Sequence, residues 1–420
     1  MTTPLDDLTV IEWGNDRCSY AGKLMADMGA RVIKVEPRSG EETRTYPPFA
    51  DNHEHPEKSL YFWSYNVNKL GVTLDATQPK GRDLLKKLIC SADVVIESQP
   101  IGHPQKIGID YSDIKSLAPH LIWASITPYG RNVSAAKIPS TDLTLAANGG
   151  FAWMNGYDDH TLPPLRGGGT QAYHTGCHYA FMSILVALLH KDITGVGQFI
   201  DVSINASVNV TTEAGSYQWL VANNTVQRQT GRHASIQPST KNQFECKDGK
   251  HVCVMLAARK PHIFKLLQKW LPEVDEPILP GLQSVLEHID SGNLDTSTWP
   301  NTTELIDSLQ KSILKIAKKT NAIDFMERAQ GGNIVCSVLN TPDEMLNSPH
   351  FISRNFPTPV QHLDRADPVT YSGAPYHFEK SPWQINRPPP RLGEHNEEIY
   401  GEILGYSSQQ IKSFKNEGVI

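Results

Sequence analysis

Two histidines and a cysteine near the middle of the chain, His174, Cys177 and His178, are the first residues whose types and spacing suggest chemistry. Residues four apart on a helix share one face, so the two histidines are suitably spaced to hold a metal ion. The glutamate of an H-E-x-x-H motif is missing, however, and no carboxylate ligand is indicated nearby. We therefore expect packed polar residues at the start of a helix rather than a metal site.

Two further segments invite a functional interpretation. His53-Glu-His55 lies in a polar stretch and is expected to be a solvated loop. Gly167-Gly-Gly169 precedes a predicted helix, where backbone N–H groups can approach an anion, although glycines at this place also simply form a turn. The chain has no P-loop lysine, no G-x-G-x-x-G after its first strand and no G-x-S-x-G. The nucleotide and hydrolase fingerprints are thus absent.

The elements that must position such residues alternate along the first half of the chain. Short β-branched segments predict strands, and segments with helical spacing lie between them. The predicted strands are residues 8–12, 32–36, 93–97, 121–126 and 199–204, and the predicted helices are residues 21–29, 80–90 and 111–118. This pattern is typical of an α/β fold with a parallel sheet.

The second half has a different texture. Residues 175–190 predict a long helix that is apolar nearly all round and should be buried. From about residue 225 a separate lobe is expected, with a hairpin that turns at Asp248-Gly249 and polar helices over 262–330. Proline-rich segments and a final helix, 396–404, follow from about 334. We therefore predict domains of 1–224, 225–333 and 334–420.

Composition limits the class of protein. The 420 residues include 39 basic and 45 acidic side chains, a net charge of −6, which argues against nucleic acid or an anionic membrane as the partner. No apolar segment reaches the roughly 18 residues of a spanning helix, and the start resembles no signal peptide. The six scattered cysteines predict reduced thiols. We expect a soluble, cytoplasmic enzyme-like protein.

Motifs spread over nearly the whole chain resemble one family. They are Gly29-Ala-Arg-Val-Ile-Lys-Val-Glu-Pro with Thr43-Arg44, Asn68-Lys-Leu-Gly-Val-Thr-Leu-Asp75, Ala92-Asp-Val-Val-Ile-Glu97, Leu189-His-Lys-Asp-Ile-Thr-Gly-Val-Gly-Gln, Asn340-Thr-Pro-Asp-Glu-Met-Leu and Pro390-Arg-Leu-Gly-Glu-His-Asn. In combination they resemble the class III CoA-transferases, the family of formyl-CoA transferase, carnitine CoA-transferase and α-methylacyl-CoA racemase.

The resemblance implies an architecture and a reaction. Both chain ends would form a Rossmann-like large domain that binds CoA, a smaller α+β lobe would lie between them, and two subunits would interlock as rings. In the family, an aspartate attacks the donor thioester, an aspartyl-CoA thioester forms through an anhydride, and an acceptor carboxylate takes the CoA. Coenzyme A or acyl-CoA would be a substrate, and neither a permanent cofactor nor a metal ion is implied.

The nucleophile of the family begins the long helix, in a motif such as D-x-x-T-G. Aligned on Thr175-Gly176, the aspartate position of this chain holds Ala172, whose methyl group cannot attack a thioester. The racemase interpretation fails as well, because Thr141-Asp142 replaces the His-Asp of racemases and Ala172 removes the second base. Asp142 could still orient substrate, or it could be an ordinary residue at a helix start.

The resemblance also implies CoA contacts. By position in the family's motifs, these are Asp16, Arg17, Leu74, Asp75, Ser98, Gln99, Lys106 and Lys137. A lysine at either of these two positions is more often a solvated surface charge. Gly231-Arg-His-Ala-Ser-Ile-Gln-Pro238 occupies the place of the glycine-rich loop of formyl-CoA transferase, which indicates a different acyl group.

Three hypotheses account for Ala172. The chain is the non-catalytic subunit of a heteromeric transferase, as in succinyl-CoA:benzylsuccinate CoA-transferase, and a paralogous subunit supplies the aspartate. Alternatively, it is a homomeric transferase whose aspartate has been replaced by alanine, and the well-kept Tyr173-His-Thr-Gly176 favours this. Finally, it is a CoA-binding homologue without transferase activity. The acid and the CoA donor cannot be identified from the sequence.

Overall fold

The computed structural model describes residues 3–255, 260–295, 297, 299 and 303–420. The chain divides into two compact units. The first consists of residues 1–152, 166–216 and 349–420, and the second of residues 153–165 and 217–348. Both chain ends therefore contribute to the first unit.

A six-stranded parallel sheet forms the centre of the first unit. Its strands are β1 (Thr9–Trp13), β2 (Arg31–Glu36), β3 (Leu70–Thr73), β4 (Val94–Glu97), β5 (Ile122–Thr127) and β6 (Phe199–Ser203). They lie in the order β3-β2-β1-β4-β5-β6, which is the Rossmann order with its switch point between β1 and β4. The predicted parallel α/β class is confirmed.

Helices cover both faces of this sheet, and their bounds follow in chain order. They are α1 (Asp16–Asp27), α2 (Leu60–Asn66), α3 (Pro79–Cys90), α4 (His103–Lys106), α5 (Tyr111–Ile114), α6 (Asp142–Asn148), α7 (Gln171–Thr194) and α8 (Ile204–Val210). One core, centred on Val10, Val32 and Ile184, lies on one face, and another, centred on Ile11, Leu85 and Trp123, lies on the other.

The long helix α7 differs from its prediction. It is longer at both ends, Gln171–Thr194, and only one side of it is buried. Met182, Val186, Leu189 and Ile193 expose 48%, 65%, 65% and 85% of their surfaces. By length and apolar composition α7 would pass as a membrane span, yet it packs on α1, α8 and β5 as a core helix does. An all-round apolar sequence therefore did not mean all-round burial within this chain.

The second unit is an α+β body. It contains α9 (Ala214–Ala222, which begins in the first unit), β7 (Gln227–Gln229), β8 (Arg232–Ser235), β9 (Gln243–Glu245), β10 (His251–Val254), α10 (Pro261–Glu273), α11 (Pro280–Asp290), α12 (Thr303–Lys319), α13 (Ala322–Gly331), β11 (Cys336–Val338) and α14 (Pro342–Leu346). β9 and β10 pair antiparallel, and Gly249 turns between them with φ +79°, so the predicted hairpin is confirmed.

The remainder returns to the first unit. It contains α15 (Pro349–Ser353), β12 (Pro357–Val360), β13 (Val369–Ser372), α16 (Asn396–Glu398), a π-helical turn (Ile399–Ile403) and α17 (Ser408–Asn416). The helix predicted over 396–404 is therefore not the last one, because the sequence turns at Gly405 with φ +72° and Ser407 caps α17.

The chain passes from the first compact unit to the second between residues 216 and 217 and returns between residues 348 and 349. The predicted boundaries were 224/225 and 333/334. β11 pairs with β10 and so keeps the chain in the second unit beyond residue 333. Residues 153–165 also belong to that unit, because Trp153 Nε1 donates to Val226 O and Asp158 N donates to Thr230 Oγ1. As functional domains, 1–224, 225–333 and 334–420 stay a prediction.

Candidate active site

A groove of about 570 Å³ lies at the carboxyl ends of β1 to β4. Loops after these four strands line it, through Trp13, Gly14, Asn15, Val35, Glu36, Pro37, Arg38, Ser39, Glu41, Glu42, Leu74, Asp75, Ala76, Thr77, Gln99, Pro100 and His103. Ligands of doubly wound sheets bind at this edge, beside the switch point. The topology alone therefore makes this groove the first candidate for a nucleotide-bearing substrate.

The floor of the groove is held by a close approach of two loops. Ser98 Oγ donates to Asn15 Oδ1 and accepts from Asn15 N, both at 3.0 Å. A Cβ on Gly14 would lie 2.3 Å from Ser98 Oγ and 2.6 Å from Cys18 Sγ, so only glycine fits there. Asn15 in turn caps α1 by accepting from Arg17 N. The serine thus fixes the start of α1 against the end of β4.

Charged side chains on and beside the strands are buried and paired. Glu12 binds Lys34 at 2.9 Å and Lys69 at 2.6 Å, and all three side chains have 0% exposure. Burial alone would raise the pKa of Glu12, but the two ammonium groups outweigh it and hold the pKa below its ordinary value. Arg44 similarly joins Glu36 and Glu57. These ion pairs tie β1, β2 and the following loop together.

The start of α7 carries a buried alanine. Ala172 is 2% exposed and lines a cavity of about 260 Å³ together with Phe151, Thr175 and Val208. Thr170, the residue before the helix, provides no side-chain cap. Instead, Asp142 Oδ1 accepts from Ala172 N at 2.9 Å and from Tyr173 N at 3.2 Å.

Asp142 is therefore fully engaged. Its Oδ2 accepts from Arg166 Nη1 at 3.1 Å, and the residue is 5% exposed. Its own helix α6 is capped by Thr141 rather than by Asp142. A carboxylate at the start of a neighbouring helix satisfies two free N–H groups and opposes the positive end of the dipole. The glycines before α7 suggested an anion-binding site at this helix start. The side chain of Asp142 provides that anion from within the chain.

An aromatic cluster surrounds the next turn of α7. His174 stacks on Tyr20 with ring centres 4.2 Å apart, and its Nε2 shares a 2.7 Å hydrogen bond with the Tyr65 hydroxyl. Burial, followed by the proximity of His178, lowers the pKa of His174 to about 4, so its imidazole is neutral near pH 7. Cys177 is buried, and its thiol donates to Arg17 O. These contacts are those of packed polar side chains, as the sequence analysis expected.

Comparisons with known proteins agree with this geometry. Residues 5–396 match the sequence model of "CoA-transferase family III". The chain belongs to this family. Subunit BbsE of succinyl-CoA:(R)-benzylsuccinate CoA-transferase from Thauera aromatica is 27% identical over 98% of this chain and 97% of its own length. The human succinyl-CoA:glutarate CoA-transferase is 26% identical over 96% and 86%.

A solved structure supports the fold. A CAIB/BAIF family protein from Brucella suis superimposes with a TM-score of 0.79 over 96% of this chain and 100% of its own, at 24% identity. These relatives are named as enzymes that move CoA between acyl-CoA thioesters and acids, and the predicted family membership is confirmed.

The structure brings some of the family-derived CoA residues together. Leu74, Asp75 and Gln99 line the groove, and Ser98 holds the lining residue Asn15 through two hydrogen bonds. Asp75 accepts from Thr77 and Gln78, and these hydrogen bonds lower its pKa. Two others, Asp16 and Arg17, begin α1 beside the groove without being part of its lining.

Other candidates lie apart, and the groove adds one. Lys106 ends the short helix α4, and Lys137 lies in the loop before α6; both are exposed, and neither lines the groove. Arg38 lines it but was missed by the sequence analysis. Its position directly after β2 was the available signal, since loops at the carboxyl ends of strands form this edge.

Proposed function

We propose that this chain is a subunit of a class III CoA-transferase that moves CoA from an acyl-CoA, with succinyl-CoA as the donor, to a carboxylic acid, and that another chain supplies the nucleophile. The observation that carries the proposal is the buried methyl group of Ala172 at the start of α7. The surroundings of that methyl group are built as an active site would be, with a capped helix start and a cavity beside it.

We assign the groove at the carboxyl ends of β1 to β4 to CoA. Leu74, Asp75 and Gln99 would contact the nucleotide part, with Ser98, Asp16 and Arg17 holding the start of α1. The exposed cations Lys106 and Lys137, together with Arg38 in the groove, are candidates for the phosphates. CoA enters as a substrate, and the proposal includes no resident cofactor and no metal ion.

The chemistry follows from the nucleophile. A carboxylate oxygen of the active subunit attacks the thioester carbon and the C–S bond breaks, leaving an anhydride and CoA thiolate. The thiolate attacks the enzyme's carbonyl carbon and releases the donor as a carboxylate. The acceptor carboxylate then repeats the sequence in reverse. Asp142 does not take this role in our proposal, because two backbone N–H groups and Arg166 already occupy its oxygens.

A second candidate is a homomeric transferase whose aspartate has been replaced by Ala172. The contacts of the neighbouring turn favour it, since the His174–Tyr65 hydrogen bond and the Asp142 cap hold the start of α7 in an ordered arrangement. A CoA-binding homologue without transferase activity is the third. Among the relatives, the subunit status of BbsE supports the heteromeric proposal.

The assembly that we propose is an interlocked dimer with a paralogous subunit, or with a second copy of this chain, in the cytoplasm. The apolar side of α7 supports a covered surface, because Val186, Leu189 and Ile193 are each at least 65% exposed. Apolar surface of this kind on one helix is typical of an interface. We propose no nucleic-acid or membrane partner.

The test is CoA transfer from succinyl-CoA to a panel of carboxylic acids, with the chain and its Ala172→Asp variant each purified alone. The heteromeric proposal expects both proteins to bind CoA and neither to turn over until the paralogous subunit is added. Turnover by Ala172→Asp alone would establish the homomeric enzyme instead. If neither the chain nor its Ala172→Asp variant binds CoA, the transferase proposals are wrong.

A further inference from the structure

Helices α6, α7 and α8 line the cavity of about 260 Å³ beside Ala172. Its apolar walls come from Ala146, Phe151, Ala172 and Val208, and the two alanines and the valine are only 2–3% exposed. Each of its lining residues belongs to the first unit, so the cavity lies within one compact body. An apolar cavity of about 150 Å³ is already large enough to bind benzene. This cavity therefore has room for a small organic group.

The hydroxyl groups of the lining are already used by the helix backbone. Thr175 Oγ1 donates to Gln171 O at 2.8 Å, and Thr211 Oγ1 donates to Val208 O at 2.7 Å. A hydroxyl group carries a single hydrogen, so each of these donors is spent within the chain. The two threonines thus offer no hydrogen-bond donor to an anion in the cavity.

The two histidines of the lining are engaged as well. His174 Nε2 shares its 2.7 Å hydrogen bond with the Tyr65 hydroxyl. His178 Nδ1 lies 2.9 Å from His174 O, and because a carbonyl oxygen only accepts, the proton of this hydrogen bond is on Nδ1. In the neutral ring, Nε2 of His178 then carries the lone pair. A neutral His178 thus meets a ligand with an acceptor, which a carboxylate oxygen cannot bind.

Acidic and basic side chains are kept out of this cavity. Among the residues that the structure describes, its lining contains no lysine, arginine, aspartate or glutamate. The charged group that contacts the adjoining turn, Asp142, is itself an acid, and its Oδ2 holds Arg166 at 3.1 Å. A carboxylate that entered the cavity would lose hydration without gaining a counter-charge, which is costly. An uncharged group would meet no such cost.

We propose that the cavity beside Ala172 binds the uncharged acyl group of a CoA thioester, and that this chain holds the thioester without converting it. The inference rests on the proposed function, which assigns CoA to the groove of the same unit, and it names the substrate class of the site. Arg17 connects the two places, since its N–H donates to Asn15 of the groove and its carbonyl oxygen accepts from Cys177 of α7. With Ala172 in place of a nucleophile, no covalent step follows. The succinyl donor reacts at the nucleophile of the other chain.

The test compares butyryl-CoA with succinyl-CoA, which have acyl chains of the same length and differ in the terminal carboxylate. Calorimetric titration at pH 8 measures both affinities for the parent chain, Thr211→Lys and the control Thr194→Lys. Both threonines are exposed, but Thr211 lines the cavity whereas Thr194 lies at the far end of α7. We expect the parent and the control to prefer butyryl-CoA by at least about tenfold. Thr211→Lys supplies the missing cation and should remove most of this preference.

Several outcomes would overturn the assignment. A parent chain that binds succinyl-CoA as tightly as butyryl-CoA would refute a site for uncharged acyl groups. An unchanged preference in a folded Thr211→Lys protein would show that the preference arises outside this cavity. Chromatography of the thioester recovered from the parent tests the second half of the proposal. We expect intact butyryl-CoA, and release of free CoA above the rate in buffer would contradict binding without conversion.

A separate arm distinguishes failure of this inference from failure of the proposed function. If the chain binds neither thioester, the proposed function fails, and titration with benzene judges the cavity directly. The same titration is decisive if Thr211→Lys does not fold. Binding of benzene by the parent, lost in Ala172→Leu because the larger side chain occupies the cavity, would sustain the apolar site. Absence of benzene binding, or equal binding by the two proteins, would refute it.

Discussion

Two buried arginines, Arg44 in the first unit and Arg228 in the second, are treated in opposite ways by the chain. Arg44 is 1% exposed, and it donates to both oxygens of Glu36, to Glu57 and to Pro390 O. Arg228 is 4% exposed, and its hydrogen bonds within the described part of the chain go to carbonyl oxygens. The same side chain at similar depth thus has its charge compensated in one place and left uncompensated in the other.

The difference separates a buried charge that acidic side chains neutralise from one beside which the described residues place no acid. Arg44 binds the end of β2 to the chain that follows and to the C-terminal segment, so its ion pairs are part of the fold. Arg228 is held in position by backbone carbonyl oxygens. Burial of a charged residue is therefore not informative by itself; the identity of the acceptors around it is.

The largest expected effect comes from removing the compensated arginine. Arg44→Met should lower the free energy of unfolding by about 3–5 kcal/mol, because Glu36 would remain buried without its partner. Arg228→Met should lower it by less than half as much, since it removes a charge that is paired with no carboxylate of the described residues. Urea unfolding of ligand-free protein, followed by circular dichroism, measures both. Equal losses would mean that the carbonyl oxygens around Arg228 stabilise it as much as the two glutamates stabilise Arg44.

Two acidic side chains show the same contrast. Glu12 is paired with two lysines, whereas Asp16 has the like-charged Glu41 as a neighbour. Burial, followed by the charge of Glu41, raises the pKa of Asp16 from 3.8 to about 6. The folded protein then holds this proton more tightly than the unfolded chain, so stability is lost as pH rises through that interval.

Replacement of Asp16 should therefore stabilise the protein. We expect Asp16→Asn to raise the free energy of unfolding at pH 8 by on the order of 2 kcal/mol, and by much less at pH 4.5. Unfolding curves at the two pH values check this. A gain that is the same at both would exclude titration of Asp16 as the cause.

The smallest effect concerns Asp142. The charge of its carboxylate is balanced partly by two backbone N–H groups of α7 and partly by Arg166, which is about one-third exposed. Asp142→Asn should cost about 1 kcal/mol, as loss of a charged helix cap does. Arg166→Gln is the matched control and should cost less, since exposed ion pairs contribute little. If Arg166→Gln costs as much as Asp142→Asn, the ion pair and not the helix cap fixes this carboxylate.

Local patterns predicted the sheet and failed at its long-range contacts. Runs such as Val94–Glu97 and Ile122–Thr127 are apolar on both faces and indicated buried parallel strands directly. β3 begins at Leu70 with only four residues, and its Gly71 weakens the strand pattern, so it was reached through the family resemblance alone. Its pairing with β2 is a tertiary fact that no local pattern contains.

The same distinction between contiguous motifs and long-range contacts applies to the site. Ala172 could be placed by its neighbours Thr175 and Gly176, because that motif is contiguous in the sequence. The cap from Asp142, 30 residues away, could not, and neither could the hydrogen bond from Trp153 to the carbonyl oxygen of Val226, 73 residues away. Nothing near Arg228 in the sequence indicates that Arg232 rather than Arg228 receives the carboxylate of Asp158.

The free edge of β3 is closed by the C-terminal part of the chain, and this has a consequence for synthesis. Thr73 N donates to Asn396 Oδ1, 323 residues later, and Asp75 N donates to Val419 O. While the ribosome is still making the second unit, the sheet has an unpaired edge and an incomplete core, since Tyr400, Ile411 and Ile420 belong to it. The nascent first unit must therefore wait for residues 396–420, and it is during this interval that we expect it to depend on chaperones.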